Sequence, residues 1–354
     1  MQIFTDFIGG NAEILEVTPS RVLFRPQLRD TKGQWFYWAF CVKGAQGLTV
    51  TFDMAPLAFV GRFGAAVSHD LESWHWSGHT ETGREFVYTF GPDEDCVYFA
   101  HDMLYQPPRF HAFCERLGLR EDVLCLSEKA TPIPAVRFGE GTRQILLTAR
   151  HHCCESTGSY VLEGVLEALH ADLLSGFRVC AVPFVDIDGV LAGDQGKNRI
   201  PHDHNRDYTD APLYAGVQAL QVIAADPATC VAFDFHAPNH LGGRNDHAFL
   251  VYKAGHTLGA QLRFGKLFQS ELTVDAFRYN PMRDMPAEVE WNSGRVMSGS
   301  FSGFCSVQPH IELCCTLETA YFGLTDNPVT QERLVSMGRA FGRALLRWLR
   351  ERSA

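Results

Sequence analysis

Between Thr148 and Tyr160 the chain reads TARHHCCESTGSY, so two histidines, two cysteines and a glutamate fill positions 151 to 155. Imidazole nitrogens and carboxylate oxygens are the usual protein ligands of a catalytic zinc ion. His152 and Glu155 are three residues apart and His151 and Glu155 four apart. Either spacing sets both side chains on one face of a helical turn, so spacing alone leaves both histidines open. A third ligand is on offer at His236, where the apolar run CVAFDFH ends; three protein ligands leave a fourth position for water. The run HIELCCTLE ends in Glu318, a carboxylate placed to accept a proton, and the loop DQGKNRIPHDHNRDY carries Arg199, Asn205 and Arg206. Two histidines and a carboxylate for a metal, a separate glutamate as base and arginines for negative charge make a toolkit for metal-assisted hydrolysis of an amide. An isolated HxxE is more often a packed histidine beside a surface glutamate that favours the first turn of a helix. The metal reading therefore rests on several apolar runs ending in complementary chemistry.

Those runs belong to a fold that changes texture near residue 105. Residues 1–104 hold short alternating stretches such as RVLFRPQ, GLTVTFDM and EDCVYFAH separated by Gly, Asp, Asn and Pro, the pattern of a small antiparallel β-sandwich domain. Residues 105–354 alternate strand with helix: QILLTA, then STGSYVLEGVLEALHADLL, FRVCAVPFV, APLYAGVQALQVIAA and CVAFDF. This reads as an α/β domain with a largely parallel sheet. In open sheets of that kind ligands gather beyond the carboxyl ends of the strands, which is where the histidines, Glu155 and Glu318 stand. Ser156 and Thr157 are available caps for the helix that follows Glu155. The last helix is expected to start near Asn327-Pro328 and to run to about Arg350, with Arg339, Arg343, Arg347 and Arg350 on a solvated face.

Bulk properties narrow the function further. The 354 residues carry a formal charge of -10, and a pI near 5.8 argues against a nucleic-acid partner, which needs a positive field. No run of eighteen apolar residues is present and the N-terminus lacks the pattern of a secretory signal, so a soluble cytoplasmic protein without membrane attachment is expected. The eleven cysteines include no CxxC and read as reduced, mostly buried thiols.

At the level of motifs the sequence resembles the M14 zinc carboxypeptidases. ARHHCCES resembles their HPGE-type ligand motif, NRIPHDHNRDY the segment that clamps the substrate, DFH the third-ligand motif and CTLETAYFG the stretch with the catalytic glutamate. QWFYWAF and VYFAHDMLYQP resemble the β-sandwich and junction of the cytosolic carboxypeptidase subfamily. The resemblance implies a mixed-sheet α/β/α catalytic domain behind a small β-sandwich. It also implies one zinc ion per chain held by His152, Glu155 and His236, with Glu318 as general base. Asn205 and Arg206 would hold the substrate's terminal carboxylate and Arg199 would stabilise the oxyanion, the substrate being the C-terminal tail of a peptide or protein. A related zinc deacylase or amidase acting on N-acyl amino acids is the alternative, and a non-catalytic binding protein on the same scaffold is a third. Tyr279 is a candidate for the tyrosine that covers the family's pocket. Cys153 and Cys154 replace the usual proline and glycine and read as buried spacers or redox-sensitive thiols. The loop after His236, with His240 and His247, reads as a solvent-exposed loop, or else lines the pocket or holds a second metal. Lys253, Arg244 and Arg295 are candidate cations for an acidic departing side chain.

Overall fold

Alternating short runs up to Ala100 form nine strands: β1 (Gln2–Phe4), β2 (Glu13–Val17), β3 (Arg21–Arg25), β4 (Ala39–Lys43), β5 (Thr49–Asp53), β6 (Ala66–Ser68), β7 (His75–Trp76), β8 (Glu85–Thr89) and β9 (Cys96–Ala100). The computed structural model describes residues 1–80, 83–293 and 299–353. One sheet has the order β1-β4-β9-β6-β7 and the other β2-β3-β5-β8. Val22, Phe24, Phe52 and Phe86 of the second sheet meet Phe40, Val42, Val97 and Phe99 of the first, all of them buried. Residues two apart share a face, so alternation delivers one apolar side of each sheet to a common core. Pairing is antiparallel as expected, with one exception: β3 and β5 run parallel. Between them the chain crosses to the other sheet to form β4, the kind of crossover that parallel neighbours require.

The strand β4 is buried on both faces. While Phe40 and Val42 fill the sandwich, Ala39 pairs with Ala100, and Ala100 with Ala66. This row of three alanines joins the core of the second half of the chain.

That half is built on β10 (Glu121–Leu126), β11 (Pro132–Phe138), β12 (Arg143–Ala149), β13 (Phe177–Val182), β14 (Thr229–His236), β15 (Phe249–Val251) and β16 (Leu313–Glu318), ordered β10-β11-β13-β12-β14-β16-β15. The central four strands are parallel and the outer ones antiparallel, giving a mixed sheet. The principal helices are α1 (Pro107–Leu117), α2 (Ser156–Asp172), α3 (Ile187–Ala192), α4 (Ala215–Ala225), α5 (Leu258–Glu271) and a C-terminal helix, Gln331–Ser353. Phe233 and Phe235 of β14 meet Phe341 of the C-terminal helix at ring distances of 4.8 and 5.3 Å. The alternate residues Asp234 and His236 therefore face the other side, the side of the site. Among the described residues no ladder joins strands on the two sides of residue 104, and one isolated bridge, Thr31 with Arg199, crosses it. None of the helices searched is long and apolar enough to cross a membrane.

Two local expectations differ. Asn327–Pro328 forms a short strand against Gly323–Leu324, and the C-terminal helix starts at Gln331, where the Thr330 hydroxyl accepts from Arg333 N at 3.2 Å. Proline's missing N–H suited a hairpin edge as well as a helix start. Neither Ser156 nor Thr157 caps α2: Glu155 holds the N-cap position without a side-chain capping bond, and Thr157 donates instead to Thr319 O. On the C-terminal helix, Arg339, Arg347 and Arg350 are exposed, as expected of a solvated face, and surface ion pairs join Arg339 to Glu167 at 2.6 Å and Arg343 and Arg347 to Glu271 at 3.4 and 3.5 Å.

Candidate metal centre and active site

The loop from β12 to α2 starts with a sharp turn. Arg150 adopts φ 62°, a left-handed conformation uncommon for a non-glycine residue, and its buried guanidinium ties the loop by donating to Cys153 O at 2.7 Å and Tyr105 O at 2.8 Å. His151 and His152 follow this turn and Glu155 stands immediately before α2. Register places Ala149 of β12 beside Phe235 of β14, and His236 beside Glu318 of β16. Histidines, carboxylate and candidate base thus meet at the carboxyl ends of three adjacent parallel strands, where the sheet opens into a crevice. Gly196 passes over the ligand loop so closely that a Cβ there would lie 2.5 Å from Cys153 N, and its φ of 74° suits glycine alone.

Ligand atoms of His152, Glu155 and His236 lie within 4.8 Å of one another. His152 Nδ1 is 2.7 Å from Glu155 Oε1, and His236 Nδ1 is 2.6 Å from Glu155 Oε2. Each imidazole turns its other nitrogen to a carboxylate: His152 Nε2 to Asp203 at 3.2 Å and His236 Nε2 to Asp234 at 2.6 Å. A metal-binding histidine commonly has its second nitrogen held in this way, which fixes the tautomer and raises the basicity of the ligating one. His151, Asp234 and His236 also converge. There, however, His151 is held by Asp234 at 2.9 Å and Tyr208 OH at 2.8 Å, sealed from the cleft. The donor set that faces the cleft, two imidazoles and a carboxylate, fits a zinc ion, and the sealed one supports it. Asp203→Asn should weaken zinc binding by about 10–100-fold, as competition with a fluorescent chelator would measure; unchanged affinity would remove Asp203 from this supporting role.

Electrostatics at the site follow from burial and charge. Burial pushes the Glu155 carboxyl up, but Lys197, His152 and His236 outweigh it and hold it well below the usual range. Glu318 goes the other way: burial lifts it, Glu155 adds to the lift, and His236 and Lys197 oppose it. Its Oε2 is buried without a hydrogen-bond partner, an unmet acceptor beside the ligands. The cleft, about 560 Å³, is lined by these groups together with Lys197, Asn205, Arg206 and Trp35.

Arg199 does not join them. Its guanidinium turns away from the cleft and lies 2.5 Å from Asp186, 3.0 Å from Asp194 and 3.7 Å from Asp30. Three buried carboxylates outbid an open cleft for a group that can donate five hydrogen bonds. Lys197, two residues earlier, occupies the cleft instead: its Nζ is 2.5 Å from Glu155 Oε1 and 3.1 Å from Ala237 O. Burial disfavours its charge, yet Glu155 holds the ammonium above its ordinary pKa. Sequence reasoning missed Lys197 because an arginine close by matched the expected type. Asn205 Nδ2 lies 3.2 Å from His236 Nε2 and its Oδ1 accepts from Phe301 N, while Arg206 lines the cleft with no carboxylate of the described residues paired to it.

No protein-family model matches the chain. Among solved structures, a metallo-carboxypeptidase from Burkholderia cenocepacia superposes with a TM-score of 0.80 at 18% identity, covering 99% of both chains. A metallo-carboxypeptidase from Pseudomonas aeruginosa in complex with (2-guanidinoethylmercapto)succinic acid gives 0.79 at 21% identity, covering 99% of this chain and 100% of that one. The chain has the metallo-carboxypeptidase fold. In sequence it is similar to human cytosolic carboxypeptidase 6, 25% identical over 301 residues, and to an uncharacterized protein of Zymomonas mobilis, 26% identical over 271. The first match covers 75% of this chain and 58% of the human protein, so the chain spans little more than half of that relative; the second covers 71% and 70%.

Within the metallo-carboxypeptidase fold several expected details fall elsewhere. Tyr279 is buried outside the cleft with its hydroxyl donating to Asp284 at 2.7 Å, and no tyrosine lines the cleft among the described residues. Cys153 and Cys154 are buried, the first donating to Asp194 O at 3.1 Å, and burial pushes both thiols up, to about 12 for Cys154. They are spacers without thiolate character. His240 sits in an aromatic cluster with Phe36, Phe59 and Phe322, and neither it nor His247 lines the cleft. Their loop nonetheless forms a cleft wall through Pro238, Asn239, Gly242, Arg244 and Asn245, so it is not a bland surface loop. Arg244 is engaged by the carbonyls of Arg283 and Asp284, both at 2.6 Å. Lys253 is buried in a neighbouring cavity against Asn292 at 3.0 Å, and burial pulls its pKa down to about 8. Arg295 lies outside the described residues.

Proposed function

We propose that the protein is a zinc-dependent carboxypeptidase that removes the last residue from peptides or protein tails. The observation that carries this reading is the unpartnered Glu318 oxygen beside the His152, Glu155 and His236 ligand set, in a cleft that also presents Arg206. Zinc, when bound, supplies Lewis acidity toward a carbonyl and lowers the pKa of water. The rest is the work of the chain. Arg206, with Asn205, pairs bidentately with the terminal carboxylate and so sets which peptide bond lies over the ligands. Glu318, lifted by burial, takes the proton from the attacking water and hands it to the departing amine. Lys197, held in the cleft by Glu155, Ala237 O and Pro238 O, is the cation assigned to the developing oxyanion in place of Arg199. Asp203 and Asp234 keep both imidazoles oriented.

The test is release of C-terminal residues from a mixed peptide library by the zinc-loaded protein, with Glu318→Gln and chelated samples as controls. Release abolished by both controls supports the reading and identifies the preferred residue. No release with zinc bound refutes it and turns attention to amide hydrolysis of N-acyl amino acids. Arg206→Met should cost about a hundredfold or more in kcat/KM on substrates with a free carboxylate and little on their carboxamides; equal losses on both would sink the carboxylate assignment.

A further inference from the structure

The N-terminal half contributes to the cleft through one segment, and that segment is sewn to the catalytic loop along its length. Asp30 accepts from Gln195 N at 3.0 Å and Gly196 N at 2.9 Å, and its carbonyl accepts from Ile200 N at 2.8 Å. Gln195 returns the contact, accepting from Tyr37 N at 2.9 Å and donating to Tyr37 O at 2.8 Å. Arg29 Nε donates to Asp194 at 2.9 Å and Thr31 Oγ1 to Lys197 O. Residues 29–37 and 194–200 therefore form one fixed unit.

At the crest of this unit stands Trp35, half-buried in the cleft wall. Its indole N–H donates to Lys32 O at 3.1 Å and its ring meets Phe36 edge-on at 5.9 Å, which holds the ring in place. Phe36 in turn packs on His101, His240 and Tyr321. Lys197 Nζ lies 5.8 Å from the Trp35 ring centroid. Neighbouring contacts order the cleft: Trp35 beside Lys197, Lys197 on Glu155, Glu155 on His236, His236 against Asn205, and Asn205 bonded to Arg206. Contacts thus link the ligand set to Trp35 through Lys197 and to Arg206 through Asn205, and all of these groups line the cleft.

We infer that Trp35 is the wall of the subsite for the side chain preceding the scissile bond, and that it selects an aromatic or large apolar side chain there. This rests on the carboxypeptidase reading, because it takes Arg206 as the anchor of the terminal carboxylate. With the carboxylate at Arg206 and the scissile carbonyl over the ligands, the preceding residue extends toward Lys197 and Trp35. A rigid, half-exposed indole offers a large apolar face at little entropic cost, and an aromatic partner adds favourable ring geometry to the area buried. Glycine at that position would leave the face wet.

The experiment separates the inference from the reading beneath it. Binding of acetyl-Phe-Xaa and acetyl-Gly-Xaa is measured by calorimetry on full-length, zinc-loaded Glu318→Gln protein with Trp35 intact, changed to Ala, or changed to Phe. Xaa is the residue released from the library, or glycine if none is released. The Phe ligand should bind about tenfold or more tightly than the Gly ligand when Trp35 is intact. That ratio should collapse toward unity in Trp35→Ala and persist in Trp35→Phe. A ratio untouched by Trp35→Ala, equal weakening of both ligands, or no preference at the outset overturns the inference. If the ratio behaves as expected while the enzyme releases no residue, only the carboxypeptidase reading fails.

Discussion

Replacing Glu318 by Gln leaves zinc bound and lowers kcat by about 10²–10⁴-fold, the range a positioned general base supplies. The substitution keeps shape and volume and removes the ability to accept a proton. Glu318 is the last residue of a fully buried strand, and its neighbour in register is His236, so the amide sits where the carboxylate sat. The carboxylate is not part of the triplet formed by His152, Glu155 and His236, so metal content measured by atomic absorption should not change. Loss of zinc together with activity would show Glu318 to be a ligand, and retained turnover would remove it from the mechanism.

Lys197→Met and Arg199→Met should fail in opposite ways. Removing Lys197 withdraws an ammonium that lies 2.5 Å from Glu155 and lines the cleft. A loss in kcat of about 10²–10³-fold is expected, the size of deleting one stabiliser of a developing oxyanion, with KM changed little. Removing Arg199 instead takes from buried Asp186 the guanidinium 2.5 Å away and leaves Asp194 with Arg29 alone and Asp30 with backbone N–H groups alone. Breaking such a network from one side costs about 3–5 kcal/mol of stability. Burial works against the Arg199 charge, but Asp186, Asp30 and Asp194 outweigh it and hold the guanidinium above its ordinary pKa. Arg199→Met should therefore melt well below the parent while turning over at a near-parental rate when folded. Calorimetry and steady-state kinetics on the two variants decide the matter: normal melting with a large loss of kcat in Arg199→Met would return the oxyanion role to Arg199.

The contrast between these two residues marks where sequence stopped being enough. Strand ends were readable, because QILLTA, CVAFDF and HIELCCTLE are apolar runs that stop at polar chemistry, and in a parallel sheet such stops coincide in space. The same logic put His236 and Glu318 at strand ends, and the register of β14 and β16 makes them neighbours. Spacing could not separate His151 from His152; what separates them is that Asp234 and Tyr208 close around His151. Side-chain direction within the loop Asp194–Arg206 was equally hidden. Whether Lys197 or Arg199 turns inward depends on Asp30 and Asp186, which are remote in sequence. Tyr279 looked available until Asp284, folded back from a later turn, took its hydroxyl. Trp35 gave no signal of a site: it stood in QWFYWAF, read as part of the β-sandwich, and an aromatic there reads as core until the fold brings it to a site in the second half.

The row of alanines at positions 39, 100 and 66 sets a limit on how substrate arrives. Domains joined through small or polar interfaces hinge readily, whereas a large apolar contact resists it. Here the five-stranded sheet is a wall shared by both cores, and beside the alanines Tyr37, Trp74 and the partly buried Tyr98 enlarge the same apolar contact. A contact of that kind argues against the N-terminal half swinging as a lid over the cleft. On the proposed reading, an enzyme built this way sorts by disorder: it accepts chain ends that are already unravelled and leaves the termini of folded proteins alone.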